Sequence, residues 1–170
     1  APGMVRPGRG GARGLVAYPV TVLLLVLLFP PYIAAAGWAA LAFGDGAAGL
    51  AHGHLSLGPL PWNPKKSWAG FILCAVFGGY GATGLAFWTD SSAPLPWLVL
   101  PLVVGLAVAL AESAPVVLDD NVRTGLAAGM VLFLISHMPV PTFPEGAGAA
   151  LALAVLGVFG LIAWRLKTIT

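Results

Sequence analysis

The chain has 170 residues, of which 59% are hydrophobic and only 8% are charged, with a formal net charge of +2. About a quarter of the residues of a soluble domain are charged, so this composition excludes an ordinary water-soluble fold. The eight basic residues are too few and too dispersed for a nucleic-acid-binding surface. Cys74, the one cysteine, excludes a disulfide framework. We therefore expect an integral membrane protein.

Apolar segments of the length that an α-helix needs to cross the hydrocarbon core recur along the whole chain. Helices satisfy their own backbone hydrogen bonds in lipid, and no alternation typical of membrane β-strands appears. Proline or polar residues separate the segments, as at Pro30-Pro31. The sequence predicts an all-α, polytopic bundle forming a single transmembrane domain over residues 1–170. Its six predicted spans are 15–30, 32–50, 67–89, 95–111, 123–139 and 147–165.

The basic residues indicate the orientation of these helices. If the arginine-rich N-terminus is cytoplasmic, the polar loops 51–66 and 112–123 and the C-terminus share that side. All Lys and Arg residues then lie inside, as the positive-inside rule expects. The first segment is not read as a signal peptide, because five more apolar segments follow it. Since residue 1 is Ala, we expect an upstream piece to be missing.

Asp45 is the first candidate for chemistry. It lies within the second predicted helix, in the small-residue run 44–49. An ionisable residue at membrane depth is costly and is a functional candidate by default. The alternative is close helix packing through the small residues, with Asp45 bonded to a neighbouring helix.

Lys65 and Lys66 form the second candidate, directly before a predicted helix start. Helix N-termini present free N–H groups and a positive dipole, which suit phosphate. Ser67 is expected to cap this helix or to contact a phosphate oxygen. The alternative is that both lysines only anchor the topology beside anionic lipid headgroups.

The acidic residues of loop 112–123 form the third candidate. Asp119, Asp120 and Asn121 offer hard oxygen ligands of the kind that Mg²⁺ prefers, and Asp45 could add another. The alternative is a solvated loop in which one of these carboxylates caps the fifth predicted helix, 123–139. Together, acids and lysines on one face predict a metal–nucleotide site for phosphoryl transfer at the membrane surface.

The three groups, in this order, resemble the polyprenol kinase family within the phosphatidate cytidylyltransferase superfamily, and most of all its phytol kinase branch. The resemblance covers roughly residue 10 to the end, and the lysine–serine–tryptophan–alanine–glycine run is its most specific part. It is carried by Gly44 to Ala48, by Pro61 to Gly70, and by Glu112-Ser113 with Leu118 to Asn121.

The resemblance implies a CTP-dependent, Mg²⁺-requiring kinase that phosphorylates a long-chain isoprenoid alcohol, such as phytol, farnesol or a polyprenol, taken from the bilayer. Lys65 and Lys66 would bind the triphosphate. Asp45, Asp119 and Asp120 would be metal ligands, with Asp45 and Asp120 catalytic and Asp120 the base for the hydroxyl. The remaining nucleotide-binding residues would be Asn63, Ser67 and Asn121.

The chain departs from the family pattern in two places. Family members often have basic residues where this chain has Ala51 to His54, and they commonly carry an additional upstream helix. We expect a lipid groove built partly from that helix to be incomplete in this chain, or to be completed by a second copy in a homo-oligomer.

Two other functions compete with the kinase. A CTP-dependent cytidylyltransferase acting on a lipid phosphate such as phosphatidate needs the same metal and lysines, but it tends to have Glu where Ala69 stands. A transporter or channel needs polar groups through the membrane depth, whereas the predicted outer connections carry only Asp90 and Glu145.

Overall fold

The computed structural model describes residues 10–55, 57–92, 100–116 and 118–137, and this part of the chain is mostly helical. Its helices fall on five of the six predicted segments. The sixth segment, 147–165, and the positions 95–99 and 138–139 lie outside the described residues. The helices are α1 (Gly10–Leu28), α2 (Pro31–Ala39), α3 (Gly46–His54), α4 (Trp68–Thr89), α5 (Leu100–Ser113) and α6 (Asp120–Ser136).

The second predicted helix is not a uniform α-helix. A π-helical segment, Ala40–Asp45, joins α2 to α3, so that one helical run extends from Pro31 to His54. π-Helical turns are rare and are often found at functional sites. This one ends at Asp45, the residue that the sequence analysis singles out.

The polar loop 51–66 contains a β-hairpin, which the all-α prediction does not include. Strands β1 (Pro59–Leu60) and β2 (Asn63–Ser67) pair antiparallel across a turn at Pro61 and Trp62. Gly58 enters β1 with φ +80°, a backbone conformation that glycine adopts without steric cost. The hairpin delivers Lys65 and Lys66 to the start of α4.

Helix α4 is the central element and packs against α2, the π-helical segment, α3 and α5. Glycines allow this close approach: a Cβ on Gly79 of α4 would overlap the carbonyl of Pro101 in α5. Likewise, a Cβ on Gly44 of the π-helical segment would lie 3.3 Å from Cα of Gly78. The carboxyl end of the π-helical segment therefore lies against α4.

Two of the described helical runs, Pro31–Ala51 and Trp68–Thr89, are long and apolar enough to cross a membrane. Helix α5 and the part of α1 from Val16 to Leu28 are apolar but shorter. Many large apolar side chains on these helices face outward, including Leu27, Tyr80 and Trp88. By length and composition, two helical runs among the described residues could span a membrane, so the six predicted spans are not confirmed. The predicted helical character is observed.

Candidate functional site

The ammonium group of Lys66 is the centre of a charged cluster formed by β2, α5 and α6. It donates hydrogen bonds to the Glu112 carboxylate and, at 2.8 Å, to Oδ2 of Asp120. Glu112 comes from the last turn of α5 and its side chain is only 3% exposed. A buried carboxylate is costly without a partner, so Lys66 and Glu112 hold each other in place.

Lys66 lies outside the apolar helical spans, and its charge state is set by two opposing effects. Burial lowers the pKa of its ammonium group, but the hydrogen bonds to Asp120 and Glu112 outweigh burial, and the pKa is raised above 10.5. Because the folded state binds this proton more tightly than the unfolded state, the protonated lysine stabilises the fold at every pH below 10.5. This stabilisation is lost only as the pH rises through the folded-state pKa. Lys66 is therefore a cation at neutral pH.

Asp45 faces the same cluster from the opposite side. A cavity of about 300 Å³, defined here as the first cavity, is lined by Asp45, Lys65, Lys66, Ser67 and Glu112 together with small and apolar residues of α3 and α4. The carboxylate of Asp45 interacts electrostatically with Lys66, Asp120 and Asp119. No hydrogen bond to this carboxylate comes from the residues that the structure describes, so Asp45 presents an open acceptor to the cavity.

The N-terminus of α4 forms one wall of the first cavity. Ser67 is its N-cap, and the Ser67 hydroxyl accepts a hydrogen bond from the backbone N–H of Gly70 at 3.1 Å. No acidic residue lies in the first turn of α4, so the positive end of the helix dipole faces the cavity uncompensated. Capping, one of the two roles expected of Ser67, is observed.

A second cavity of about 590 Å³ lies on the other side of the lysines. Lys65 and Lys66 line both cavities. Trp62, Asn63 and Val116 line only the second cavity, along with Asp120 and Arg123. The lysines thus stand between two spaces, a small one with Asp45 and a larger one toward the α5–α6 connection.

Three further predicted site residues already have partners within the protein. Asp119 is the N-cap of α6 and accepts a hydrogen bond from the backbone N–H of Asn121 at 3.0 Å, as the alternative for this loop expected. Asn63 donates to the carbonyl of Ser113 at 3.0 Å and ties the hairpin to the end of α5. Their roles toward metal or nucleotide stay predictions.

Both oxygens of the Asp120 carboxylate are engaged. Oδ2 accepts from Lys66 and Oδ1 accepts from the guanidinium of Arg123. Proton transfer to Asp120 would have to break an ion pair, whereas Asp45 carries no such cost. Of the two predicted catalytic residues, Asp45 is therefore the one whose carboxylate accepts no hydrogen bond from the described residues, and the catalytic roles of both stay predictions.

The described residues contain no group of three or more His, Cys, Asp and Glu side chains that could hold a metal ion. Mg²⁺, however, commonly takes one or two carboxylates and completes its shell with substrate phosphates and water. The cluster has one more carboxylate than cations, so a triphosphate would need an added cation to bind there. Its members are Asp45, Glu112, Asp119 and Asp120 against Lys65, Lys66 and Arg123. These carboxylate oxygens are of the type that such an ion takes, and the metal-binding roles of Asp45, Asp119 and Asp120 stay predictions.

Sequence reasoning did not assign Glu112 and Arg123 to the site. Glu112 belongs to the third candidate group and Arg123 follows Asp119 to Asn121 in the same loop, but neither was given a role toward metal or nucleotide. The available clue was their position at helix ends in the loop that carries Asp119 and Asp120. Their burial, at 3% and 9% exposure, appears only in the folded chain.

Fold and site together define a strongly apolar helical protein with a lysine–carboxylate site where helix ends meet. Comparison with known proteins confirms the resemblance to the phytol kinase branch. Over 135 residues, 72% of this chain, it is 32% identical to a Triticum aestivum protein named probable phytol kinase, chloroplastic. It is 31% identical over the same length to a Glycine max protein named probable phytol kinase 2, chloroplastic, and to a Zea mays protein named probable phytol kinase, chloroplastic.

These alignments cover 44%, 45% and 44% of the three relatives, so the chain spans less than half of their length. No family model matches the chain. No solved structure matches it either.

Proposed function

We propose that this chain carries the phosphoryl-transfer site of a lipid-alcohol kinase that uses a nucleoside triphosphate, with CTP the expected donor, to phosphorylate a long-chain isoprenoid alcohol such as phytol. One observation carries the proposal: Asp45, from the π-helical segment, lines one cavity at the N-terminus of α4 together with Lys65, Lys66 and Ser67 of β2. The names of the three relatives support the same activity.

The lysines and the helix start would bind the phosphates. Lys66 is held as a cation by Glu112 and Asp120, and Lys65 is exposed beside it. Cations and helix N–H groups stabilise the charge that spreads over the transferred phosphoryl group. The second cavity, which shares both lysines, leaves room for the nucleoside.

Asp45 would orient the alcohol and accept its proton. The alcohol oxygen bonds to the γ-phosphorus, the β–γ bridging oxygen leaves with the nucleoside diphosphate, and the hydroxyl proton passes to the carboxylate. A bound Mg²⁺ would neutralise phosphate charge. Asp45 lies about two turns before the end of the apolar run Pro31–Ala51, at a depth that a lipid alcohol can reach from the bilayer.

The orientation belongs to the same proposal. The site lies where the hairpin meets the ends of α5 and α6, and the positive-inside distribution would make this face cytoplasmic. The protein would then be a multi-pass membrane enzyme that takes its alcohol from the inner leaflet and its nucleotide from the cytoplasm.

The test is transfer of label in detergent. Purified protein is incubated with Mg²⁺, γ-labelled CTP and phytol, farnesol or dolichol, and then with each of the other nucleoside triphosphates. Label in the organic phase is expected from the γ position. A parallel incubation contains α-labelled CTP and a lipid phosphate. Label in the organic phase of this incubation alone would overturn the kinase and identify a cytidylyltransferase.

A further inference from the structure

Lys66 belongs to a continuous chain of ion pairs that extends beyond the cavity. Glu112 binds its ammonium group on one side and Asp120 on the other, and Arg123 binds the second oxygen of Asp120. We define this chain, Glu112–Lys66–Asp120–Arg123, as the ion-pair relay. It links α5, β2 and α6, so the position of Lys66 depends on Asp120 and Arg123, which do not line the first cavity but do line the second.

Arg123 is the fixed end of the relay. Its guanidinium donates hydrogen bonds to the carbonyls of Ala111 and Ala114, at 2.6 and 2.7 Å, and to that of Leu118 at 2.9 Å. These carbonyls belong to the last turn of α5 and to the connection that follows it. The side chain is 9% exposed, whereas that of Asp120 is 45% exposed. Asp120 therefore owes its orientation to its partners rather than to packing.

We propose that Arg123 is a positioning residue, which holds Asp120 against Lys66 and thereby fixes the Lys66 ammonium group between the two cavities for an anionic phosphate. Its role in nucleotide binding rests on the proposed function, but its effect on Lys66 does not. A free lysine side chain samples many rotamers, and holding it in place beforehand reduces the entropy lost when the phosphate binds. Without Asp120, the Lys66 ammonium group would be paired with Glu112 only, on one side.

Lys65 is the internal control for this proposal. It precedes Lys66 in the same strand and lines the same two cavities. It is exposed, and no ion pair joins it to another of the described residues. A substitution that acts through the ion-pair relay should change the reactivity of the Lys66 amine and leave that of the Lys65 amine unchanged.

The first experiment measures how fast an amine-reactive reagent modifies each lysine, by mass spectrometry of the nucleotide-free protein. Asp120→Asn removes the ion pair directly and should make Lys66 react several-fold faster. Arg123→Gln should also speed the modification of Lys66, because Asp120 loses its anchor. If Arg123 acted only as a charge, its removal would free Asp120 to pair with Lys66 more strongly, and modification would slow or stay unchanged; that result overturns the proposal.

Arg123→Lys provides a second variant in case Arg123→Gln does not fold. It keeps the positive charge, but a single ammonium group cannot bond the three carbonyls and Asp120 in the fixed geometry of the guanidinium. Lys66 should again react faster while Lys65 does not. An unchanged Lys66 rate in a folded Arg123→Lys protein would contradict a positioning role.

The second experiment uses nucleotide KM in a double-mutant cycle. Arg123→Gln should raise the KM several-fold with a smaller effect on kcat, and it should have no further effect once Lys66 is alanine. Residues without a shared partner give additive effects, so additivity would overturn the relay. If no alcohol accepts phosphate, the proposed function fails, and the modification rates still decide the role of Arg123.

Discussion

At the scale of single residues, the site depends on carboxylates in contrasting surroundings. Glu112 is buried and satisfied by Lys66, Asp120 is held between two cations, and Asp45 faces a cavity as an open acceptor. Similar groups thus acquire different roles through their partners. Asp45 is the acid that we propose to accept the substrate proton.

Asp45→Asn tests that assignment. The amide keeps the shape of the side chain but cannot take a proton, so we expect kcat to fall by about 100-fold or more while the protein stays folded. Turnover of γ-labelled CTP with phytol measures the loss. Asp90→Asn, at the far end of α4, is the matched control and should retain activity. Full activity in Asp45→Asn would remove Asp45 from the site.

Lys66→Ala tests the phosphate-binding role. A hydrogen bond to a charged group contributes about 1.5–3 kcal/mol, so the KM for nucleotide should rise about tenfold or more. The substitution also leaves buried Glu112 unpaired, which destabilises the fold. Lys66→Ala combined with Glu112→Gln should recover Tm without recovering KM. An unchanged KM would return Lys66 to a purely structural or topological role.

At the scale of elements, the site is built where helix ends meet. The π-helical segment ends at Asp45, and α4 begins beside Lys66. Helix α5 ends one residue after Glu112, and α6 begins at Asp120. Close packing through glycines brings these ends together, because a larger residue at Gly79 or Gly44 would separate the helices. Helix packing through small residues is the usual means of association in lipid.

Gly79→Ala tests this packing. Its Cβ would overlap the Pro101 carbonyl of α5, and overpacking of this kind costs about 1–3 kcal/mol. A lower Tm in detergent and a reduced kcat are expected, because Glu112 moves with α5. Gly84→Ala is the matched control on the same helix, since a Cβ there meets nothing within 4 Å. Equal Tm values for the two variants would contradict the packing argument.

At the scale of the whole molecule, the structure places the hairpin and the α5–α6 connection at one end of the bundle. Asn63 and Trp62 both contact Ser113, and Lys66 contacts Asp120. The two polar loops predicted to share a compartment therefore meet in space. Which compartment they face stays a prediction from the distribution of charge.

Cysteine labelling in intact cells tests the orientation. In a Cys74→Ala background, Pro64→Cys lies in the exposed hairpin and Ser91→Cys lies beyond the other end of α4. A membrane-impermeant maleimide should label Ser91→Cys from outside and reach Pro64→Cys only after permeabilisation. The reverse pattern would contradict the predicted topology, and labelling of both from outside would contradict a span at α4.

The sequence by itself determined the helical character, the approximate helix bounds, and the three groups that carry the resemblance to phytol kinases, because apolar run length and short motifs are local properties of the chain. Only the tertiary structure decided which acids are paired and which is open. The pairing of Lys66 with Glu112, 46 residues away, and the fixed position of Arg123 depend on how helix ends pack. The β-hairpin pairs residues that are close in sequence, yet it and the π-helical segment were not predicted, because the length and composition of apolar runs distinguish neither a hairpin from a loop nor a π-helical turn from an α-helix.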